Sequence, residues 1–346
     1  ISENKKGELD IRAIPLDDKR TYEMLGKGET AGVFQLESEG MRRAITQLKP
    51  DSIQDITALV ALYRPGPMEH ISTYASAKHG RIKPTYLHPL MEPILKETHG
   101  VIVYQDQVLM LVRALAGFSL GKADILRRAM GKKDKKLLDS MKVEFVEGAA
   151  KNGIDEPTCE KVWTLLEPFA GYAFNKAHAV CYALIAYQTA YLKANYPVEY
   201  MAALLGAYRG KEDRVVGLVE ECRRMGIEVL APDINRSSVD FTIEDGKIRF
   251  GLGAIKGIGD STIQSILKAR TEKAGFFTHI FDVAVCVKAH GGLNRTGLEA
   301  LIKAGALDSI DANRKNLLSV VDTALAFADK VAREREAGQA ALFLFQ

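Results

Sequence analysis

A mainly α-helical fold is expected, a multi-helical N-terminal part followed by a helix-hairpin-helix region that carries one small β-hairpin. Three observations predict it. The apolar residues Val101, Tyr104, Val108, Leu111, Val112 and Leu115 return at three- and four-residue steps, the mark of a helix buried on one face. Strand-like alternation is confined to Phe241–Phe250, where Asp245-Gly246 supplies a two-residue turn. Strand-like runs are otherwise so few that no long parallel sheet is expected.

Short helices are predicted at Ser38–Leu48 and Ser52–Leu62, separated by the loop signals Arg64-Pro65-Gly66-Pro67, His79-Gly80 and His99-Gly100. The Val101–Leu115 helix follows, and helical patterns then continue to about Met225. Asn152-Gly153 ends one helix, and Pro197 opens another after Asn195-Tyr196. Ala231-Pro232-Asp233 breaks the pattern ahead of the hairpin, and helices resume at Asp260. An Ala-rich charged helix is expected from about Asn313 to Glu336, followed by Gly338 and the apolar tail Ala341–Phe345. No internal repeat of solenoid type is present.

The 346 residues, 47% hydrophobic and 26% charged, fit two or three ordinary globular domains and exclude a disordered or fibrous chain. Cys159, Cys181, Cys222 and Cys286 are far apart and form no C-x-x-C pair. Neither a zinc framework nor a disulfide scaffold is therefore expected, and a reducing compartment fits. No signal peptide and no apolar run of bilayer length occurs. Because the first residue is Ile1 rather than Met, the chain is expected to be cut from something longer. The net charge of +3 says little about partners, but eight basic residues stand against three acidic ones between Lys122 and Lys142.

That basic stretch contains Leu126-Arg127-Arg128-Ala129-Met130-Gly131-Lys132-Lys133. Adjacent guanidinium forks match phosphate oxygens and the lysines add point charge, which suits a triphosphate or a nucleic-acid backbone. A solvated charged face explains the same run. A second segment, Phe169 to His178, leads into a long helix reaching about Ala194. On a helical wheel Tyr172, Asn175 and Lys176 share one arc with His178 beside it. That face offers a ring for stacking, an ammonium for phosphate and two hydrogen-bonding groups, as a nucleotide requires. A core aromatic with solvent-facing polar neighbours is the competing explanation.

A third segment runs from Lys256-Gly257-Ile258-Gly259 into a helix with Ile263, Ile266 and Leu267 at helical spacing and Lys268 and Arg270 behind them. Glycines allow close backbone approach, and a helix N-terminus presents free N–H groups to an anion. This is the pattern of a helix-hairpin-helix that grips a DNA backbone without reading sequence, although a purely structural hairpin has the same outline. Asn294–Leu307 is a candidate second half. The tail Gln339-Ala340-Ala341-Leu342-Phe343 has the form of an extended peptide for an apolar groove. No D-x-D pair, metal-binding histidine pair or P-loop is present. Glu37 and Glu39 stand alone, and no catalytic residue or metal ligand is assigned.

Taken in order, these segments resemble the bacterial DNA polymerase III alpha subunits, the C-family replicative polymerases. The resemblance covers nearly the whole chain. It is carried by Ile14-Pro-Leu-Asp-Asp18, Val33-Phe-Gln-Leu-Glu-Ser38, Ala58-Leu-Val-Ala-Leu-Tyr-Arg-Pro-Gly-Pro67, Lys78-His-Gly80, Val103-Tyr-Gln-Asp-Gln-Val108, Tyr187-Gln-Thr189, Leu192-Lys-Ala-Asn-Tyr-Pro197 and Pro232-Asp-Ile-Asn235. The Leu126–Lys133 and Phe169–His178 runs add to these.

The resemblance implies a fingers domain over 1–229, a tandem helix-hairpin-helix region over 230–310, and a C-terminal helix with a clamp-binding peptide over 311–346. It implies that Arg127 and Arg128 hold the triphosphate of an incoming dNTP, and that Tyr172, Asn175, Lys176 and His178 line its pocket. Lys132, Lys133, Lys256, Gly257, Ile258, Gly259, Lys268 and Arg270 would contact template-primer DNA. Gln339, Leu342 and Phe343 would engage the sliding clamp, with Ala340 and Ala341 a bland departure from the family's peptide. The family's catalytic aspartates and their Mg²⁺ would lie upstream of Ile1, so the chain alone is expected not to polymerise. Other replisome subunits are implied as partners, and the cytoplasm, at the nucleoid, as the location. A free-standing DNA-binding or clamp-associated module, without nucleotide binding, is the alternative.

Overall fold

The computed structural model describes residues 9–132, 134–273 and 275–336, with only the backbone given for 168–172 and 336. The chain divides into two compact units, Ile1–Asn195 and Tyr196–Gln346. Both are helical, and the described strands form one small sheet in the second unit.

The first unit contains α1 (Lys19–Gly26), α2 (Glu39–Leu48), α3 (Ile53–Leu62), α4 (Ile71–Lys78), α5 (Glu92–Leu95), α6 (Gln105–Ala116), α7 (Leu120–Lys132), α8 (Lys135–Lys151), α9 (Glu156–Tyr172) and α10 (Lys176–Asn195). The starts of α2 and α3 follow from their sequence. Ser38 and Ser52 cap them, the hydroxyls accepting from the N–H of Met41 and Asp55. Asn152 and a left-handed Gly153 (φ 77°) end α8, as expected.

α10 packs against α3 and α1 through Ala179, Ala183, Ala186, Ala190 and Ala194, small side chains that let the backbones approach closely. Tyr187 sits among them, and its hydroxyl donates to the Pro15 carbonyl at 2.7 Å. Lys193 is buried in the same face. Its ammonium donates to the carbonyls of Glu29 (3.0 Å) and Ala31 (2.9 Å), so the 29–31 loop satisfies a charge that burial alone would make costly. A second core lies among α6, α7, α8 and α9, around Leu111, Leu115, Leu126, Phe145, Trp163 and Leu166. There α8 crosses the end of α6 at Gly148, where a Cβ would overlap the Ala116 carbonyl.

The second unit contains α11 (Pro197–Ala207), α12 (Glu212–Arg224), β1 (Val229–Leu230), β2 (Thr242–Glu244), β3 (Lys247–Arg249), α13 (Asp260–Glu272), α14 (Ile280–Lys288), α15 (Arg295–Ala304), α16 (Arg314–Ser319) and α17 (Val321–Glu336). The expected hairpin is present. β2 and β3 pair antiparallel around Asp245 (φ 50°) and Gly246 (φ 77°), the left-handed pair that a tight hairpin turn needs. β1 pairs parallel with β3, a two-residue strand too short to show alternation in the sequence.

Three expectations are corrected. Val101–Tyr104 lies outside the helix, which starts at Gln105; Tyr104 is extended and bridges to Phe174. The helical wheel that put Tyr172, Asn175, Lys176 and His178 on one face does not hold, because α9 and α10 are parted at Ala173–Asn175 by that same bridge; the long helix to about Ala194 is α10. The C-terminal helix steps at Val320, whose N–H reaches back only three residues, to Leu317. That step leaves Leu317 and Val321 both buried.

Candidate functional site

On α7, Ala123, Leu126, Ala129 and Met130 are buried and fix which way the helix faces. Arg127 and Arg128 project from the other side, and both reach back one turn to a single carboxylate. Asp124 Oδ1 accepts from Arg127 Nε at 2.9 Å and lies 2.8 Å from its Nη2, while Oδ2 lies 2.8 Å from Arg128 Nη2. The Arg127 guanidinium, first among the contributors, holds the Asp124 carboxyl below its ordinary range. Two adjacent forks thus converge on one anion, in the arrangement a phosphate would meet. The pairs are partly exposed, so their net worth is small and an incoming polyanion can exchange for Asp124 at little cost. Other members of the basic stretch are tied elsewhere. Lys122 pairs with Glu144, and Lys142 pairs with Glu160 at 2.6 Å. Lys132 is exposed at the end of α7, and Lys133 lies outside the described residues.

The second predicted group is built on the break between α9 and α10. The Phe174 N–H donates to the Val103 carbonyl (3.1 Å), and the Phe174 carbonyl accepts from the Gln105 N–H (2.9 Å). Asn175 then caps α10, its Oδ1 accepting from the His178 N–H at 3.0 Å. Lys176 opens the helix. Its ammonium is held by both oxygens of Glu97 (2.8 and 2.9 Å) and lies 5.3 Å from the centroid of the Tyr104 ring. The His178 ring lies between Phe174 (5.3 Å) and Tyr182 (4.4 Å), and the Arg64 guanidinium covers Phe174 at 4.7 Å. Asn175, Lys176 and His178 are therefore brought together by a capped turn, not by one face of a continuous helix. The Tyr172 side chain lies outside the described residues. The two cationic sets are each anchored to their own carboxylate, Asp124 for the arginines and Glu97 for Lys176.

In the second unit, Gly257 adopts a left-handed conformation (φ 86°) and Gly259 stands at the N-cap of α13. No side chain caps that helix, so its first N–H groups remain available to an acceptor. Ile258 packs on the core behind the turn. Lys256 pairs with Glu212 at 3.0 Å while remaining highly exposed, and Lys268 is exposed. Arg270 is placed differently. Its Nη1 donates to the Ser237 carbonyl at 2.9 Å, and burial pushes the guanidinium below its ordinary pKa. That side chain braces the 234–237 turn. The region's second half is built around Gly291 (φ 84°) and Gly292, after which Asn294 caps α15. Gly292 lies hard against α13: its carbonyl accepts from Thr262 Oγ1, and a Cβ would overlap Ser265 Oγ and sit 2.8 Å from the Ser261 carbonyl. Gln339, Leu342 and Phe343 lie outside the described residues.

Sequence reasoning missed Asp124, Glu97, Arg64 and Gln107, which hold or orient the predicted residues. The i−3 and i−4 spacing of Asp124 from the two arginines was available as a signal. No local pattern marks Glu97 as a partner of Lys176.

Among the described residues no group of three His, Cys, Asp or Glu side chains is placed to hold a metal ion, and no helix is long and apolar enough to cross a membrane. Residues 1–153 match the bacterial DNA polymerase III alpha subunit finger domain, and residues 226–317 match a helix-hairpin-helix motif. Among curated relatives, the chain is 46% identical over 349 residues to the DNA polymerase III subunit alpha of Escherichia coli strain K12, covering 98% of the chain and 30% of the relative. It is 45% identical over 340 residues to that of Caulobacter vibrioides, covering 98% and 30%. The Bacillus subtilis protein is 44% identical over 344 residues, covering 99% and 30%. The chain thus spans about 30% of the length of the curated relatives it matches.

Proposed function

We propose that this chain, a fragment of a bacterial DNA polymerase III alpha subunit covering its finger domain and helix-hairpin-helix motif, binds the incoming dNTP and grips template-primer DNA for 5′–3′ synthesis. The observation that carries the nucleotide reading is the convergence of Arg127 and Arg128 on the two oxygens of Asp124. A triphosphate offers the same forks more acceptors and more charge, and takes the place of Asp124. Lys176 supplies a further cation and exchanges Glu97 for phosphate. Asn175 and His178 line the same pocket, with Tyr172 assigned there by resemblance alone.

The Lys256–Gly259 hairpin and Lys268 hold the duplex backbone through main-chain N–H groups and point charge, with Lys132 and Lys133 adding to the basic surface. Within this reading Arg270 acts through the turn it braces. Residues 1–229 serve as the fingers, 230–310 as the DNA grip and 311–346 as the arm ending in the clamp peptide Gln339, Leu342 and Phe343. Phosphoryl transfer requires carboxylate-held Mg²⁺ to activate the primer hydroxyl and stabilise pyrophosphate. Those aspartates are assigned to the part of the polymerase this chain does not span, so the chain alone does not extend a primer. The sliding clamp and other replisome subunits are its partners in the cytoplasm.

Replacing Arg127 and Arg128 with Ala in the full-length polymerase tests the reading. A raised dNTP KM and lowered turnover are expected, and unchanged kinetics would refute the assignment.

A further inference from the structure

We propose that Gln107 is a positioning residue of the nucleotide pocket, fixing through its carboxamide the backbone register, the ring and the counter-ion that aim Lys176; the proposal rests on the function given above. Gln107 lies in the first turn of α6 and is only 2% exposed. All four hydrogen-bonding positions of its carboxamide are used. Oε1 accepts from the backbone N–H of Val103 (2.9 Å) and of Tyr104 (3.0 Å). Nε2 donates to Thr98 Oγ1 (2.8 Å) and to the Ile94 carbonyl (3.3 Å). The two N–H groups can only donate and the Ile94 carbonyl can only accept, so one orientation of the amide fits.

Both ends of that amide lead to Lys176. Through Oε1 it fixes the 103–104 segment, whose Val103 carbonyl takes the Phe174 N–H and whose neighbour Gln105 donates to the Phe174 carbonyl. Phe174 directly precedes the Asn175 cap and Lys176, so the start of α10 takes its register from this bridge. Tyr104 in the same segment puts its ring beneath the Lys176 ammonium. Through Nε2 the amide anchors the 94–98 turn, which carries Glu97, the counter-ion of Lys176. One buried side chain therefore holds the ring, the counter-ion and the backbone that aim a single ammonium. Capping α6 alone would need only the acceptor side.

The test compares Gln107→Met, which keeps the volume and loses all four bonds, with Val108→Ala, its equally buried neighbour, and with Lys176→Ala. Each is made in the full-length polymerase, and Tm, dNTP KM and kcat are measured. Gln107→Met is expected to raise KM by about tenfold, the scale of one lost charge-assisted hydrogen bond. Val108→Ala is expected to lower Tm without raising KM. Combining Gln107→Met with Lys176→Ala should leave KM no worse than Lys176→Ala alone, because both act at one ammonium. Gln107→Met lowering Tm with KM unchanged, or a fully additive double variant, overturns the proposal and leaves the nucleotide reading standing. Lys176→Ala with unchanged KM overturns the reading at Lys176, and the positioning role falls with it. Should Gln107→Met prove too unstable, Gln107→Glu keeps both acceptors and loses both donors. A raised KM there supports the role, and an unchanged one overturns it.

Discussion

The cationic groups on α7 and α10 and the glycine hairpin ahead of α13, both assigned to phosphate in the proposed function, are built by opposite means. In the first unit the groups are side chains, and each is already occupied: Arg127 and Arg128 by Asp124, Lys176 by Glu97. Under the proposed function, binding there would exchange one anion for another, and selectivity would come from how much better a triphosphate fills the forks than a carboxylate does. In the second unit the proposed donors are chiefly backbone N–H groups at an uncapped helix start beside two glycines, with Lys256 and Lys268 adding point charge. Under the proposed function, contact with those N–H groups would need only close approach, and it suits a repeating backbone better than one defined ligand.

The largest break in this comparison is expected from Arg127→Ala combined with Arg128→Ala. Losing two charge-assisted contacts should raise dNTP KM by about 100-fold, at roughly 1.5 kcal/mol each, while DNA affinity changes far less. Steady-state kinetics beside filter binding reads both. Gly292→Val should do the reverse. Overpacking against Ser265 and the Ser261 carbonyl is expected to cost about 1–3 kcal/mol in the second unit. It should weaken DNA binding with KM for dNTP unchanged, as thermal melts and the same two assays would register. Lys268→Ala is a milder probe. It should weaken binding evenly across DNA sequences and reduce the slope of log affinity against log salt by about 1. An unchanged slope would remove Lys268 from the interface.

The smallest effect concerns pH. Asp124 has a carboxyl pKa lowered chiefly by its hydrogen bond from Arg127. A folded-state pKa below the unfolded one means that the pairing stabilises above the ordinary carboxylate range and is lost as pH falls through the depressed value. Acid titration of the folded chain should show that loss only below the ordinary carboxylate range. Asp124→Asn should abolish this contribution while leaving both arginines free for phosphate.

Much of this was legible in the sequence because it is local. Ser38 and Ser52 as caps, Asn152-Gly153 as a stop and Asp245-Gly246 as a turn each depend on neighbours within a few residues. The break at Ala173–Asn175 was not legible, since helical periodicity runs through it and only the distant Tyr104 segment overrides it. Arg270 reads as another surface cation, yet long-range packing brings its guanidinium to the Ser237 carbonyl. Arg127, Arg128 and Lys176 could be picked out by residue type, whereas their carboxylate partners and Gln107 needed the folded chain. Gln107 in particular lies within a run that carries the family resemblance without revealing what its amide does.

In the proposed function, cations from two stretches of the first unit meet one ligand. A structure of the full-length polymerase with template-primer and a non-reacting dNTP analogue tests this most directly. Phosphate oxygens within about 3 Å of Arg127, Arg128 and Lys176 together, with Asp124 and Glu97 released, are the predicted result. Phosphates bound elsewhere, with the arginines still on Asp124 and Lys176 still on Glu97, would contradict it.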